Sequence, residues 1–231
     1  MKPPGPLLAA GRDADIFDYG PRFVLRRSRD GRSIAHEARV MAYLHEQGYP
    51  VPAVEEVSDD GRDLVMERIN GMSMVDAIGK APWSVRRQAK TLARLHKQLH
   101  EITAPDFLPR APIGHGDRVV HLDLHPLNVM VGPEGPTVID WTNASTGEPV
   151  LDVGLAWVLM AAGEIPGGSV MAKLMGWGRA LLVNGFLDEF DRTEVGRRLR
   201  EVVAWKVRDP HMSQAEVAGM WKLVERAEGR A

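Results

Sequence analysis

Short apolar runs broken by glycine and proline dominate the first third of the chain, and its one sustained helical period falls in the middle. Leu7 to Ala10, Ile16 to Asp18 and Phe23 to Arg26 are separated by Gly11 and by Tyr19-Gly20-Pro21, the spacing of an antiparallel meander. Ser33 is placed to cap a helix whose Ala35, Ala38, Val40, Met41 and Leu44 share one face, until Gly48 and Pro50 end it. Val51 to Val57 and Leu64 to Ile69 flank the turn Asp59-Asp60-Gly61, so the pattern predicts about five strands with one helix inserted. Near Asn70-Gly71 the period changes. An amphipathic helix is expected from about Pro82 to Ile102, burying Val85, Ala89, Leu92, Leu95, His96 and Leu99. Strand-like pieces follow at Val119 to Leu124, Val129 to Val131 and Thr137 to Trp141, and helices resume from about Val150. Three of these are expected at Ser169 to Phe190, Glu194 to Val207 and Ser213 to Glu228, the last opening on Ser213 and Glu216, the spacing of a capping box. Trp157, Trp177, Trp205 and Trp221 lie in apolar helical stretches and are expected in the core, with the lining of a substrate cleft as the alternative for one or two of them. The expected class is α+β, with a small antiparallel-sheet lobe over residues 1–70 and a mainly helical lobe over 71–231.

Size and charge narrow the classes further. At about 150 residues per domain, 231 residues suit one domain or two tight lobes. Hydrophobic residues at 44% and charged residues at 26% are those of a globular chain rather than a disordered one. A net charge of −2 supplies no basic field, so nucleic acid is not an expected partner. The absence of cysteine excludes disulfides, thiolate metal sites and a cysteine nucleophile. Leu7 to Ala10 is too short for a secretory core, and the run Val153 to Gly163 is about half of the ~20 residues a bilayer span needs. No membrane partner and a cytoplasmic location are therefore expected.

The chemistry concentrates in HLDLHPLNVMV, from His121 to Val131, and TVIDW, from Thr137 to Trp141. Asp123, Asn128 and Asp140 stand at ends of short apolar runs, where loops meet rigid strands and side chains are held still around a ligand. Carboxylate and amide oxygens without thiolates suit a hard cation such as Mg²⁺, which also takes phosphate oxygens. His121, Asp123 and His125 alternate, so in an extended segment they would share a face, and with His115 and Asp117 nearby they raise a metal-dependent hydrolase as an alternative.

HLDLHPLN resembles the catalytic loop of the aminoglycoside phosphotransferase and choline kinase-like family, whose pattern is H-x-D-x-x-x-x-N, and IDW resembles that family's counterpart of the kinase D-F-G. The resemblance runs from about Leu7 through Asp152 and implies a two-lobed protein-kinase-like fold. It implies a phosphotransferase that moves the γ-phosphate of ATP or GTP to a hydroxyl of a small molecule. Asp123 would then be the catalytic base, and Asn128 and Asp140 would hold Mg²⁺. Arg26 would contact phosphate with Glu37 as its ion-pair partner, and Met66, Glu67 and Ile69 would line the purine as a hinge. His121 would be a structural member of the loop and Asp152 its brace. Trp141 would pack beside the metal aspartate.

The chain departs from the family pattern at several places. Arg26 stands where the family has lysine, and a guanidinium is not interchangeable with an ammonium. The phosphate loop Gly11-Arg12-Asp13-Ala14-Asp15 carries one glycine and two carboxylates, whose charge opposes a nucleotide unless they point away or help bind metal. These two features motivate a second alternative, a nucleotide-binding module of weak or no catalysis. Leu122 fills a position that is often glycine. The resemblance makes the stretch after Asp140 the builder of the acceptor pocket, and its shortness implies a pocket that is small or completed by something else. From Leu151 to Ala231 acidic and basic residues balance at 11 each, so no acidic pocket for a polycationic acceptor is legible.

Overall fold

The computed structural model describes residues 1–11, 14–162, 169–210 and 212–229. The chain folds as two compact units, one of Met1–Met72 with Met130–Ala144, the other of Ser73–Val129 with Ser145–Ala231. The α+β class is as the pattern predicts. A single break near residue 70 does not anticipate that Met130–Ala144 returns to the first unit.

In the first unit, strands β1 (Leu7–Ala10), β2 (Ala14–Asp18), β3 (Phe23–Ser28), β4 (Val54–Val57) and β5 (Asp63–Glu67) form an antiparallel sheet of order β1-β2-β3-β5-β4, with helix α1 (Ala35–Glu46) inserted between β3 and β4. Central β3 sets Arg26 opposite Ile16 on one side and Leu64 on the other. Helix α1 buries Ala38, Val40, Met41 and Leu44 as its period predicts, leaves Ala35 exposed in the first turn, and also buries Glu37. Ser33 does not cap it: Ile34 holds the N-cap position without a side-chain bond, and the Ser33 hydroxyl accepts from Ala35 N–H at 3.3 Å. Strand β4 starts three residues later than expected, because Pro50 gives its carbonyl to Val138 N–H (2.8 Å) and Pro52 has no N–H for a ladder. The returning segment runs so close to residues 70–71 that a Cβ on Gly71 would lie 2.6 Å from the Val131 carbonyl oxygen. A two-residue strand, β6 (Met72–Ser73), leads out of this unit.

The second unit opens with α2 (Met74–Lys80), capped by the Ser73 hydroxyl on Asp76 N–H (3.1 Å). The helix expected from Pro82 to Ile102 is a 3-10 turn, Pro82–Ser84, followed by α3 (Val85–His100), and its buried stripe contains all six predicted residues. Then come β7 (Arg118–Val120), β8 (Val129–Gly132), whose last three residues belong to the first unit with β9 (Gly135–Val138), and β10 (Ser145–Gly147), which pairs antiparallel with β7. Helices α4 (Pro149–Ala162), α5 (Ser169–Leu187), α6 (Arg192–Lys206) and α7 (Gln214–Glu228) complete it. The predicted capping box of α7 is present, with Ser213 and Glu216 exchanging bonds. Helices α4, α6 and α7 enclose Leu155, Val158, Leu199, Val202, Met220 and Val224, and the same core takes in Val120 and Leu122 at the start of the HLDLHPLN loop. Gly154 lets α4 approach α6, since its Cβ would already lie 3.3 Å from a Val202 methyl.

Trp157, Trp205 and Trp221 pack against this core, but Trp177 is 77% exposed. A Cβ added at its neighbours Gly176 and Gly178 would meet nothing within 4 Å among the described residues. No helix among the described residues is long and apolar enough to cross a membrane.

His96 is a buried titratable group inside this unit. Its Nδ1 lies 2.9 Å from the Leu92 carbonyl, and its ring meets Phe186 edge-on at 5.0 Å between centroids. Burial pushes its pKa down to about 4, against the pull of the Asp152 carboxylate. The unfolded chain therefore binds a proton near 6.5 that the folded protein refuses until about 4, and stability falls as pH drops through that window. At about 1.4 kcal/mol per unit, the loss approaches ~3 kcal/mol by pH 4. Urea titrations of His96→Leu are expected to show a flatter pH dependence between 6.5 and 4 than the parent. Parallel curves would refute the assignment.

Candidate active site

Two groups of predicted site residues come together, one in each unit. In the second unit the chain leaves β7 at Val120 and turns sharply, because Leu122 adopts φ +61°, a left-handed conformation that non-glycine residues rarely hold. The leucine side chain is buried in the α4/α6/α7 core. Asp152, in the first turn of α4, clamps the turn: Oδ1 accepts Leu122 N–H at 2.8 Å, while Oδ2 accepts His121 N–H at 3.1 Å and lies 3.0 Å from His100 Nε2. Burial pushes the Asp152 carboxyl up, but the His100 hydrogen bond and charge outweigh it and hold the group well below the usual carboxylate range. The His121 ring is fully buried.

Beyond the clamp, Asp123 is one-quarter exposed. The Asn128 amide Nδ2 donates to the Asp123 carbonyl at 2.9 Å and to its Oδ2 at 3.1 Å, so Oδ1 of Asn128 is the donor a cation would use. His125 is the N-cap of the 3-10 turn Pro126–Asn128, with Nδ1 accepting Leu127 N–H at 3.3 Å and Nε2 3.7 Å from Asp123 Oδ1. The expected common face of His121, Asp123 and His125 does not form, since the left-handed turn at Leu122 sends His121 into the interior. Among the described residues no three His, Asp or Glu side chains gather as a metal-ligand cluster.

In the first unit Arg26, Glu37 and Asp140 meet. The Arg26 guanidinium pairs with Glu37 and reaches Asp140 Oδ1 at 3.7 Å. Burial raises the Glu37 carboxyl above its ordinary value, Arg26 opposes that and Asp140 adds to it; Glu37 Oε1 also accepts Trp141 N–H at 3.3 Å. Asp140 has φ +66°, so among the described residues the two non-glycine positions in the left-handed region both fall in the motifs. Trp141 is fully buried beside it, its indole N–H on the Val138 carbonyl (3.1 Å) and its ring edge-on to Tyr49. Arg26→Met would leave the Glu37 carboxylate buried without its cation, an expected loss of about 3–5 kcal/mol in chemical denaturation. Arg26→Met combined with Glu37→Gln is expected to recover much of that loss, because the neutral amide keeps an oxygen for Trp141 N–H.

Met66 and Glu67 lie at the end of β5, with Ile69 just past it. Glu67 N–H is held by the Ala53 carbonyl and Arg68 N–H by that of Arg22, both at 2.9 Å, while Glu67 Oε2 accepts Ala53 N–H at 3.2 Å. The Glu67 and Arg68 N–H groups are thus already used inside the first unit. In the loop Gly11 to Asp15, expected from the sequence to meet phosphate, Arg12 and Asp13 lie outside the described residues. Asp15 is countered by Arg29, whose Nε lies 3.5 Å away and whose Nη1 donates to the Gly11 carbonyl at 2.8 Å. His100 is the partner the motifs did not reveal; its signal is modest, a histidine one turn after His96 on the same helix.

A family model described as "Phosphotransferase enzyme family" matches residues 7–117 and 106–190. No curated protein matches in sequence. Among solved structures, a choline/ethanolamine kinase family protein from Mesorhizobium loti superposes with TM-score 0.62 at 18% identity, covering 97% of this chain and 87% of that one. The APH(2'')-IIa protein in a ternary complex with streptomycin and ATP gives 0.58 at 15% identity, over 88% and 83%. Amicoumacin kinase in complex with AMP-PNP, Ca²⁺ and Ami gives 0.54 at 16%, over 96% and 87%. At these identities the structural likeness establishes the kinase-like fold. With the family model matching well over half of its length, the chain belongs to the phosphotransferase enzyme family and is a small-molecule phosphotransferase by membership.

Proposed function

We propose that the protein transfers the γ-phosphate of ATP or GTP, taken with Mg²⁺, to a hydroxyl group of a small molecule, with Asp123 as the catalytic base. The observation that carries this reading is the Asp123–Asn128 pair, fixed on a loop whose backbone N–H groups are clamped by the buried Asp152. Asp123 accepts the proton of the acceptor hydroxyl as its oxygen bonds to the γ-phosphorus, and the bond to the β-phosphate oxygen breaks to release the nucleoside diphosphate. Asn128 Oδ1 and the Asp140 carboxylate are hard oxygen donors of the kind Mg²⁺ takes, and a bound Mg²⁺ supplies charge neutralisation of the phosphates. Arg26, oriented by Glu37, contacts phosphate, and the Met66 to Ile69 segment lines the purine. The N-terminal lobe thus serves the nucleotide and the helical lobe the acceptor. Structural neighbours solved in complex with ATP or with AMP-PNP and Ca²⁺ support the nucleotide. Use of a cytosolic nucleotide fits a cytoplasmic enzyme.

Thermal denaturation with ATP or GTP, each with and without Mg²⁺, tests the binding half of the proposal. At a nucleotide concentration of ~100 Kd, a stabilisation of about 2.7 kcal/mol is expected, dependent on Mg²⁺. No shift with either nucleotide would contradict it. A second reading, a nucleotide-binding module without useful turnover, is favoured by the approach of Arg26 to Asp140, which sets a cation beside a metal donor. Stabilisation by Mg·ATP without any formation of ADP in the presence of acceptors would select that reading.

A further inference from the structure

We propose that His125 is a positioning residue for Asp123, holding the Oδ1 side of its carboxylate through the imidazole Nε2–H. The inference rests on the reading of Asp123 as the base and adds a group to it. His125 sits in extended conformation (φ −139°, ψ 172°) at the head of the turn Pro126–Asn128. Pro126 has no N–H, so the first donor of the turn is Leu127 N–H, and the His125 Nδ1 accepts it at 3.3 Å. A ring nitrogen that accepts carries no proton, so the neutral ring carries its proton on Nε2. That atom lies 3.7 Å from Asp123 Oδ1, longer than a hydrogen bond, as contacts of catalytic groups often are before substrate binds. Both side chains are largely buried, at 19% and 24% exposed.

The two oxygens of Asp123 therefore have different partners. The Asn128 amide takes Oδ2, and the imidazole stands at Oδ1. Together they limit rotation of the carboxylate about its Cβ–Cγ bond, which sets the direction of the lone pair that must meet the acceptor hydroxyl. Each of these contacts is made within the same short loop, so the aim of the base is built into HLDLHPLN itself. The competing account is that His125 only caps the turn.

Substitutions separate the two accounts because cap and contact use different ring atoms. Asparagine at 125 keeps an oxygen able to accept Leu127 N–H two residues on, yet is too short to reach Asp123. Glutamine reaches further with a donor but fits the cap less well. In the full chain, ADP formation from Mg·ATP with water as acceptor is measured alongside ATP binding and melting temperature. His125→Asn is expected to keep both binding and melting temperature and to lose about tenfold or more in kcat, with KM for ATP unchanged. His125→Gln is expected to regain part of that loss. Nitrogen-15 histidine NMR is expected to show His125 as the Nε2–H tautomer, with a ring resonance that moves in Asp123→Asn. A His125→Asn variant with parental kcat, or an Nδ1–H tautomer, would overturn the proposal. If Asp123→Asn itself forms ADP at the parental rate, the base assignment fails, while the tautomer and resonance shift still read the His125 contact. In a protein that consumes no ATP without an organic acceptor, those two NMR readouts decide.

Discussion

Asp123→Asn is expected to lower phosphoryl transfer by about 10²–10⁴-fold while leaving folding intact. The variant keeps an oxygen for the Asn128 amide, and the position is partly exposed, so neither packing nor the loop's internal bonds are lost. What disappears is the basic lone pair. KM for the nucleotide is expected to stay close to the parent, because the residues assigned to the purine and phosphates lie elsewhere. Steady-state kinetics with matched melting curves check both halves. A parental kcat in this variant would remove Asp123 from the chemistry.

Asp152 carries the second large effect, on folding. Its two carboxylate oxygens receive the N–H groups of His121 and Leu122 and the approach of His100, all in the interior. Asp152→Ala leaves two buried backbone donors and a histidine without their anion, an expected loss of about 3–5 kcal/mol. Even Asp152→Asn is expected to be costly: one amide oxygen replaces two acceptors, and its NH₂ would face an N–H. The pH dependence follows from the depressed carboxyl of the folded state. The unfolded group titrates near ~3.9, so the stabilisation is fully present above that value and is lost as pH falls below it towards the folded value. Acid unfolding below about pH 4 is therefore expected to be shallower in an Asp152 variant that still folds. The His96 contribution lies above that pH, between 6.5 and 4, and the two slopes are separable.

Much of this arrangement was legible in the chain because its carriers are local. Five strands and a helix follow from short apolar runs and their punctuation, and the buried stripe of α3 follows from a clean helical period. Asp123, Asn128, Asp140 and Asp152 stand out as motif residues, and the structure groups the first two around one loop with Asp152 behind it. Elements with little periodicity escaped notice: α2 has seven residues and β10 three, too few to establish a repeat. Trp177 was expected inside because α5 is apolar on more than one side, and composition alone does not choose the face. Left-handed backbone at Leu122 and Asp140 is invisible in residue types that usually avoid it. His100 and Asp152 are 52 positions apart, so their contact depends on how α3 packs rather than on any motif. The return of Met130–Ala144 to the first unit is likewise a property of the assembled chain.

Glu37 illustrates how a local pattern and an assembled site interlock. Its place on the buried side of α1 breaks the apolar stripe, a position that burial alone would make unfavourable. The Arg26 guanidinium and the Trp141 N–H compensate it, and the same contacts set the arginine beside Asp140. The Arg26 guanidinium thus forms the ion pair with a fork that reaches two carboxylates at once.

The most direct measurement is phosphorus-31 NMR of Mg·ATP and Mg·GTP incubated with the protein and a panel of hydroxylated small molecules. The account expects the γ-phosphate signal to decline with one nucleotide and acceptor, matched by equal amounts of nucleoside diphosphate and a new phosphomonoester, and expects no such conversion with Asp123→Asn. Nucleotide that binds and remains intact across the panel, or equal conversion by Asp123→Asn, would contradict it.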